Sequence, residues 1–176
     1  MSILRLDIDH LNGILDDLAH KAELVARPAA QAAAQVLYDQ VKRNVAAIPQ
    51  QTGNLARSIY QVYSQQRSGP GVATYQISWN KRTAPHGYLV EFGHIQRYAT
   101  YVGKDGKLYT AVRPSKRGTP RPGRRASQAA KDAYYVPLAA PKQVSAKPFL
   151  RSATSQAQAA ADAAEEVLLR ALHDDT

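Results

Sequence analysis

His86, Glu91 and His94 crowd one short region of the chain, so a metal site is the first chemistry to consider. A helix that grips a metal presents its ligands one turn apart, as in His-Glu-x-x-His. Glu91 follows His86 by five residues and lies off that side of a helix. His10, His20 and His173 fall among charged residues on predicted helices, where they read as surface groups. No cysteine is present, which excludes thiolate zinc sites, iron–sulfur clusters, disulfide scaffolds and cysteine nucleophiles. No Gly-x-Ser-x-Gly elbow, phosphate loop or dinucleotide fingerprint occurs. Glu91 has no second carboxylate close in sequence with which to share acid–base work. Its expected role is a charge-assisted bond to Arg57, to Arg97, to backbone N–H groups or to a neighbouring subunit. The reading is therefore of a non-enzyme, with no catalytic, cofactor-binding or metal residues and no cofactor.

The other concentration of chemistry is charge. The chain carries 23 Lys and Arg against 14 Asp and Glu, a formal net charge of +9. Residues 94–147 hold twelve basic and two acidic residues, so the middle of the chain supplies the excess. Within it, Arg113, Lys116, Arg117, Arg121, Arg124 and Arg125 lie in thirteen residues with three prolines, two glycines and no acid. Such a run cannot bury a core or hold a regular helix. It is expected to be either a solvated loop kept extended by self-repulsion or an arm that meets a polyanion or an acidic protein face.

These residues need elements to hold them. A chain of 176 residues is one domain's worth and can bury a sizeable core. Apolar residues from Leu11 to Val41 recur at helical spacing, predicting two helices, or one sharply bent at Pro28, over about Asp9–Val45. Asp7 or Asp9 caps its start. Thr52 caps a single turn over Gly53–Arg57. Ile59–Gln65 and Val72–Trp79 alternate as strands and form an antiparallel hairpin around Ser68–Gly71. Pro85–Gly93 reads as a short helix closed by glycine, with Leu89 and Phe92 on one face. Asp105-Gly106 between Tyr98–Val102 and Leu108–Val112 signals a second hairpin. Tyr134–Leu138 reads as a short strand that Pro137 confines to an edge. From Pro148 onward, an apolar stripe running from Phe149 and Leu150 to Leu172 predicts a long last helix. Phe149 and Leu150 are expected to anchor it on the sheet face bearing Tyr75, Ile77 and Trp79. Strands in the middle and helices at both ends make the fold α+β, an antiparallel sheet packed on helices. No apolar run reaches the length of a membrane span, and the first residues lack the pattern of a signal peptide.

Three segments, Thr52–Ile59 (TGNLARSI), Tyr88–Gly93 (YLVEFG) and Lys147–Ala153 (KPFLRSA), occur in order after a long helical stretch. Together they resemble the tail-completion, or head–tail joining, proteins of long-tailed bacteriophages. The resemblance covers about Ala29–Gly93 and Ala146–Leu172, with residues 94–146 as an insertion into a single domain. It implies a virion structural protein of the neck, present in the host cytoplasm during assembly. Such a protein forms a homo-oligomeric ring, a hexamer or dodecamer, at the head-proximal end of the tail. Its implied partners are head connector or adaptor proteins, tail tube or terminator proteins and DNA in the channel, with no membrane. The implied contact residues are Thr52, Gly53, Leu55, Arg57, Tyr88, Glu91 and Phe92, joined by the six cations of the basic run. A tail terminator that caps tube growth fits the same residues. Two other classes compete: a nucleic-acid-binding protein using the basic run and the tyrosines, and, with no supporting constellation, a nuclease.

Overall fold

The computed structural model describes residues 8–49 and 53–173. Helices occupy both ends of the chain and small antiparallel sheets lie between them, an α+β fold. Two compact units interleave along the sequence.

The first unit comprises residues up to Asn44, Ile59–Trp79 and Ser152 onward. Helix α1 (Ile8–Ala46) supplies most of it and runs unbroken through Pro28, with neither a second helix nor a gap there. A proline inside a helix forfeits one hydrogen bond and crowds the carbonyl four residues back. The strong helix formers around it, Ala22 to Leu24 before it and Ala29 to Ala34 after it, carry the remaining bonds. Asp9 lies within α1, and the other expected cap, Asp7, lies outside the described residues. Ala29, Ala34 and Val41 are the buried positions in this part of α1, so small side chains form most of its inner face.

Strands β1 (Ile59–Tyr63) and β2 (Tyr75–Trp79) pair antiparallel in the register Ile59 opposite Trp79 through Tyr63 opposite Tyr75. Ile59 is buried while Tyr60 and Val62 are exposed, the alternation read from the sequence. The second strand starts at Tyr75, later than expected, because the chain before it is spent on turn bonds around Gly69 and Ser68. Tyr75 donates its hydroxyl to Gln31 at 3.2 Å, and Arg27 stacks 4.5 Å from the Tyr63 ring centroid. These contacts bind the hairpin to α1. Asn44 donates to Ser152 Oγ at 2.9 Å, tying α1 to the final helical segment. That segment begins as a 3-10 helix (Arg151–Gln156) and becomes α-helical in α5 (Ala157–His173). Ala153 and Ala160 are buried, whereas Leu168 and Leu169 near its end are exposed.

The second unit comprises Val45–Ser58 and Asn80–Arg151. It contains α2 (Asn54–Ser58), α3 (Gly87–Phe92), β3 (His94–Tyr98), β4 (Thr100–Val102), β5 (Leu108–Thr110), α4 (Gln128–Tyr134) and β6 (Pro137–Val144). The β4–β5 hairpin turns on Lys104–Lys107 as the Asp-Gly signal predicts. Two differences from the sequence reading have local causes. Tyr134 ends a helix, α4, where a strand was expected. Ser127 Oγ accepts the Ala130 N–H at 3.2 Å, and this cap starts a turn of helix-favouring residues. The strand expected at Tyr134–Leu138 is displaced to β6, which continues to Val144 and pairs with β3. Its prolines, Pro137 and Pro141, are tolerated because each strand of a two-stranded sheet has a free edge. Val45, Leu55, Ala84 and Phe149 are the buried apolar side chains of this unit.

Candidate functional site

The second and third sequence motifs meet at Glu91. Helix α3 ends at Gly93, whose φ of 72° and ψ of 173° turn the chain directly into β3. This places Val90 and Glu91 beside the segment that follows β6. Lys147 donates its N–H to the Val90 carbonyl at 2.8 Å. Glu91 Oε2 accepts the N–H groups of Phe149 (2.8 Å) and Leu150 (3.0 Å). Its Oε1 accepts the N–H of Arg151 at 3.0 Å and Arg151 Nε at 3.1 Å. Arg151 Nη2 also reaches the Glu91 carbonyl at 2.9 Å. Glu91 is 1% exposed.

The arrangement has a simple cause. Backbone N–H groups at the start of a helical turn lack intrahelical acceptors and carry the positive end of its dipole. The carboxylate satisfies three in succession, at Phe149, Leu150 and Arg151. Its partner side chain is Arg151, and not the Arg57 or Arg97 considered from the sequence. Arg151 is absent from the sequence-based contact residues, although it sits inside the third motif. With both oxygens engaged by N–H donors and the group enclosed, Glu91 is built to hold the chain together.

Gly93 is the second fixed point. A Cβ there would lie 2.7 Å from the Val144 carbonyl oxygen and 2.8 Å from the Ala146 nitrogen, both backbone atoms. Its φ and ψ fall in a region that is essentially glycine's alone. Gly93→Ala is therefore expected to lower stability by about 1–3 kcal/mol from backbone strain, with the clash added. A urea midpoint equal to that of the unaltered protein would show that β3 and the segment after β6 can part freely.

The remaining expected contact residues are distributed differently. Thr52 lies outside the described residues. Gly53 has a φ of 66° and precedes α2, where Leu55 is buried and Arg57 Nη2 donates to Asn54 Oδ1 at 2.7 Å. Gly53 and Leu55 line an open cavity of about 670 Å³ with Val45, Pro85, His86 and Val90, so the first and second motifs share a surface. Tyr88 and Phe92 stand outward on α3, 60% and 47% exposed, with ring centroids 4.6 Å apart. The Arg151 guanidinium covers Phe92 at 4.7 Å. Phe149 is fully buried and Leu150 half-buried. His86 and His94 do not assemble with Glu91 into a metal site; among the described residues no three His, Asp or Glu side chains are grouped to hold one.

The six cations divide. Arg113 Nε is turned inward to the Asp132 and Tyr135 carbonyls at 3.1 and 3.2 Å. Lys116, Arg117, Arg121, Arg124 and Arg125 are exposed. The two acids of residues 94–147 are engaged locally. Asp132 accepts the Tyr98 hydroxyl at 2.7 Å, and that bond, followed by one from Gln128, holds its carboxyl below the usual range. Asp105 is lowered likewise, first by the Tyr109 hydroxyl.

Residues 9–93 match the family model described as "Bacteriophage HK97-gp10, putative tail-component". Over those residues the chain is similar to the HK97-gp10-like phage tail components. The match spans α1 through Gly93, just under half of the chain, and includes the first two of the three motifs. Glu91 and Gly93 close the matched region, and Glu91 bonds it to the third motif beyond its limit. No curated protein and no solved structure matches the chain significantly. No described helix is long and apolar enough to cross a membrane.

Proposed function

We propose that this protein is a component of the phage neck. It forms a ring of identical subunits at the head-proximal end of the tail, joins the tail to the head connector and has no catalytic role. The HK97-gp10-like match over residues 9–93 carries this reading. The exposed aromatic pair on α3 supports it. Tyr88, Leu89 and Phe92 are solvent-facing in the isolated chain, and aromatic residues gathered on a surface mark protein contacts. A ring contact is heterologous, so this face would meet a different face of the next subunit. The enclosed Glu91 fits a structural role, because its oxygens are already committed to N–H groups.

The test is deletion of the gene in a producing phage, with electron microscopy of the lysate. Filled heads beside free tails of normal length are expected, and supplying the protein in trans should restore joined particles. Normal joined virions would refute the neck assignment. Tails of uncontrolled length would replace it with the terminator role.

A further inference from the structure

We propose that Lys116, Arg117, Arg121, Arg124 and Arg125 form a contact surface for the backbone of double-stranded DNA. None of the five makes an ion pair among the described residues. The nearest acids in sequence cannot neutralise them cheaply, since Asp105 is held by Tyr109 and Lys107, and Asp132 by Tyr98 and Gln128. Like charges this close repel, and an unneutralised set of five is a standing attraction for a polyanion.

The segment is also held in shape. Pro114–Lys116 is a 3-10 turn, and Thr119 donates both its N–H and its hydroxyl to the Lys116 carbonyl. Tyr134 donates its hydroxyl to the Thr119 carbonyl at 3.1 Å. Lys131 Nζ reaches the Arg124 carbonyl at 3.1 Å, and Ala126 N–H the Gly123 carbonyl at 3.0 Å. These bonds consume backbone carbonyls and leave the five cationic side chains outward. Ordering the backbone beforehand lowers the cost of binding.

The chemistry of the segment selects the partner. Between Arg113 and Arg125 there is no Val, Ile, Leu, Met, Phe, Tyr or Trp. A protein interface needs an apolar or aromatic centre, and the segment's own side chains supply none, although Tyr101, Val112 and Tyr134 lie beside Arg117. Binding to single strands relies on rings interleaved with the cations, and the run from Arg113 to Arg125 contains none. Phosphate recognition needs only cations, and arginine matches phosphate with paired donors. Four of the five are arginines. No recognition helix accompanies them, so the contact is to phosphates and is indifferent to sequence.

The test is fluorescence anisotropy of the full chain with a short labelled duplex of mixed sequence, across a range of salt concentrations. Five phosphate contacts correspond to a log–log slope of about −4.5, so affinity should fall several hundredfold between about 50 and 200 mM salt. Replacing all five residues by serine should abolish most of that slope while circular dichroism stays unchanged. Should that variant fail to fold, the pair Arg124→Glu and Arg125→Glu should weaken binding, and Arg124→Lys with Arg125→Lys should leave the slope intact. No duplex binding at low salt, a slope unchanged in the charge variants, or preference for polyglutamate or a single strand over the duplex would each overturn the proposal. The assay needs no ring and no neck, so its outcome is separable from the function proposed above.

Discussion

Glu91→Ala is expected to destabilise the protein by about 3–5 kcal/mol, since each enclosed N–H donor left without its acceptor costs about 1–3 kcal/mol. The loss lies mainly in the backbone. The substitution takes the acceptor from three consecutive N–H groups, at Phe149, Leu150 and Arg151. The ion pair itself counts for little, because the Arg151 side chain is 57% exposed and solvent screens it. Arg151→Ala should therefore cost only about 0–1 kcal/mol from the pair. Glu91→Gln falls between them. It keeps one acceptor oxygen but turns an amide N–H₂ towards N–H donors, at a cost of about 1–3 kcal/mol. Denaturant unfolding of the three variants gives the order. Equal losses for Glu91→Ala and Arg151→Ala would mean that the guanidinium, and not the backbone, is the essential partner.

The parts of the fold that were legible in the sequence are those set by neighbours in the chain. Asp105-Gly106 placed the β4–β5 turn, and Gly93 placed the end of α3. Alternation at Ile59–Tyr63 gave the correct faces of β1. The misread elements are those where a local rule met a stronger competitor. Of the outcomes open at Pro28, two helices or one bent helix, the structure has a single helix, because the helix formers on both sides carry α1 past the proline. Ser127 caps α4, and this local cap outweighs the strand propensity of Tyr134 and Tyr135 at the helix end.

The junction was half legible. An acid alone among apolar and basic residues had to find donors, and backbone N–H groups were among those expected. The arginines considered were Arg57 and Arg97, yet the partner, Arg151, lies sixty residues away. No periodicity reports a contact across that distance. The basic run shows the same limit. Its composition told that it would stay on the surface, but only the coordinates separate Arg113, spent on the Asp132 and Tyr135 carbonyls, from the five cations that face outward.

Phe149→Ala should cost about 3–5 kcal/mol, the range for emptying a large aromatic site in a core. Phe149 has no exposed surface and is the largest fully buried side chain among the described residues. Its removal withdraws apolar surface from burial and leaves a cavity that its neighbours fill only in part. The backbone at the same residue is held by Glu91 through a 2.8 Å bond, so the chain cannot readily move to close the space. That coupling gives a second expectation. In a double variant with Glu91→Gln, the two losses should not simply add, because freeing the backbone allows the cavity to collapse. Urea titrations of the single and double variants measure both effects. A midpoint unchanged by Phe149→Ala would remove this residue as the anchor of the second unit. Strict additivity would show that carboxylate and ring stabilise the junction independently, with Glu91 fixing the chain's path and Phe149 only filling the space beneath it.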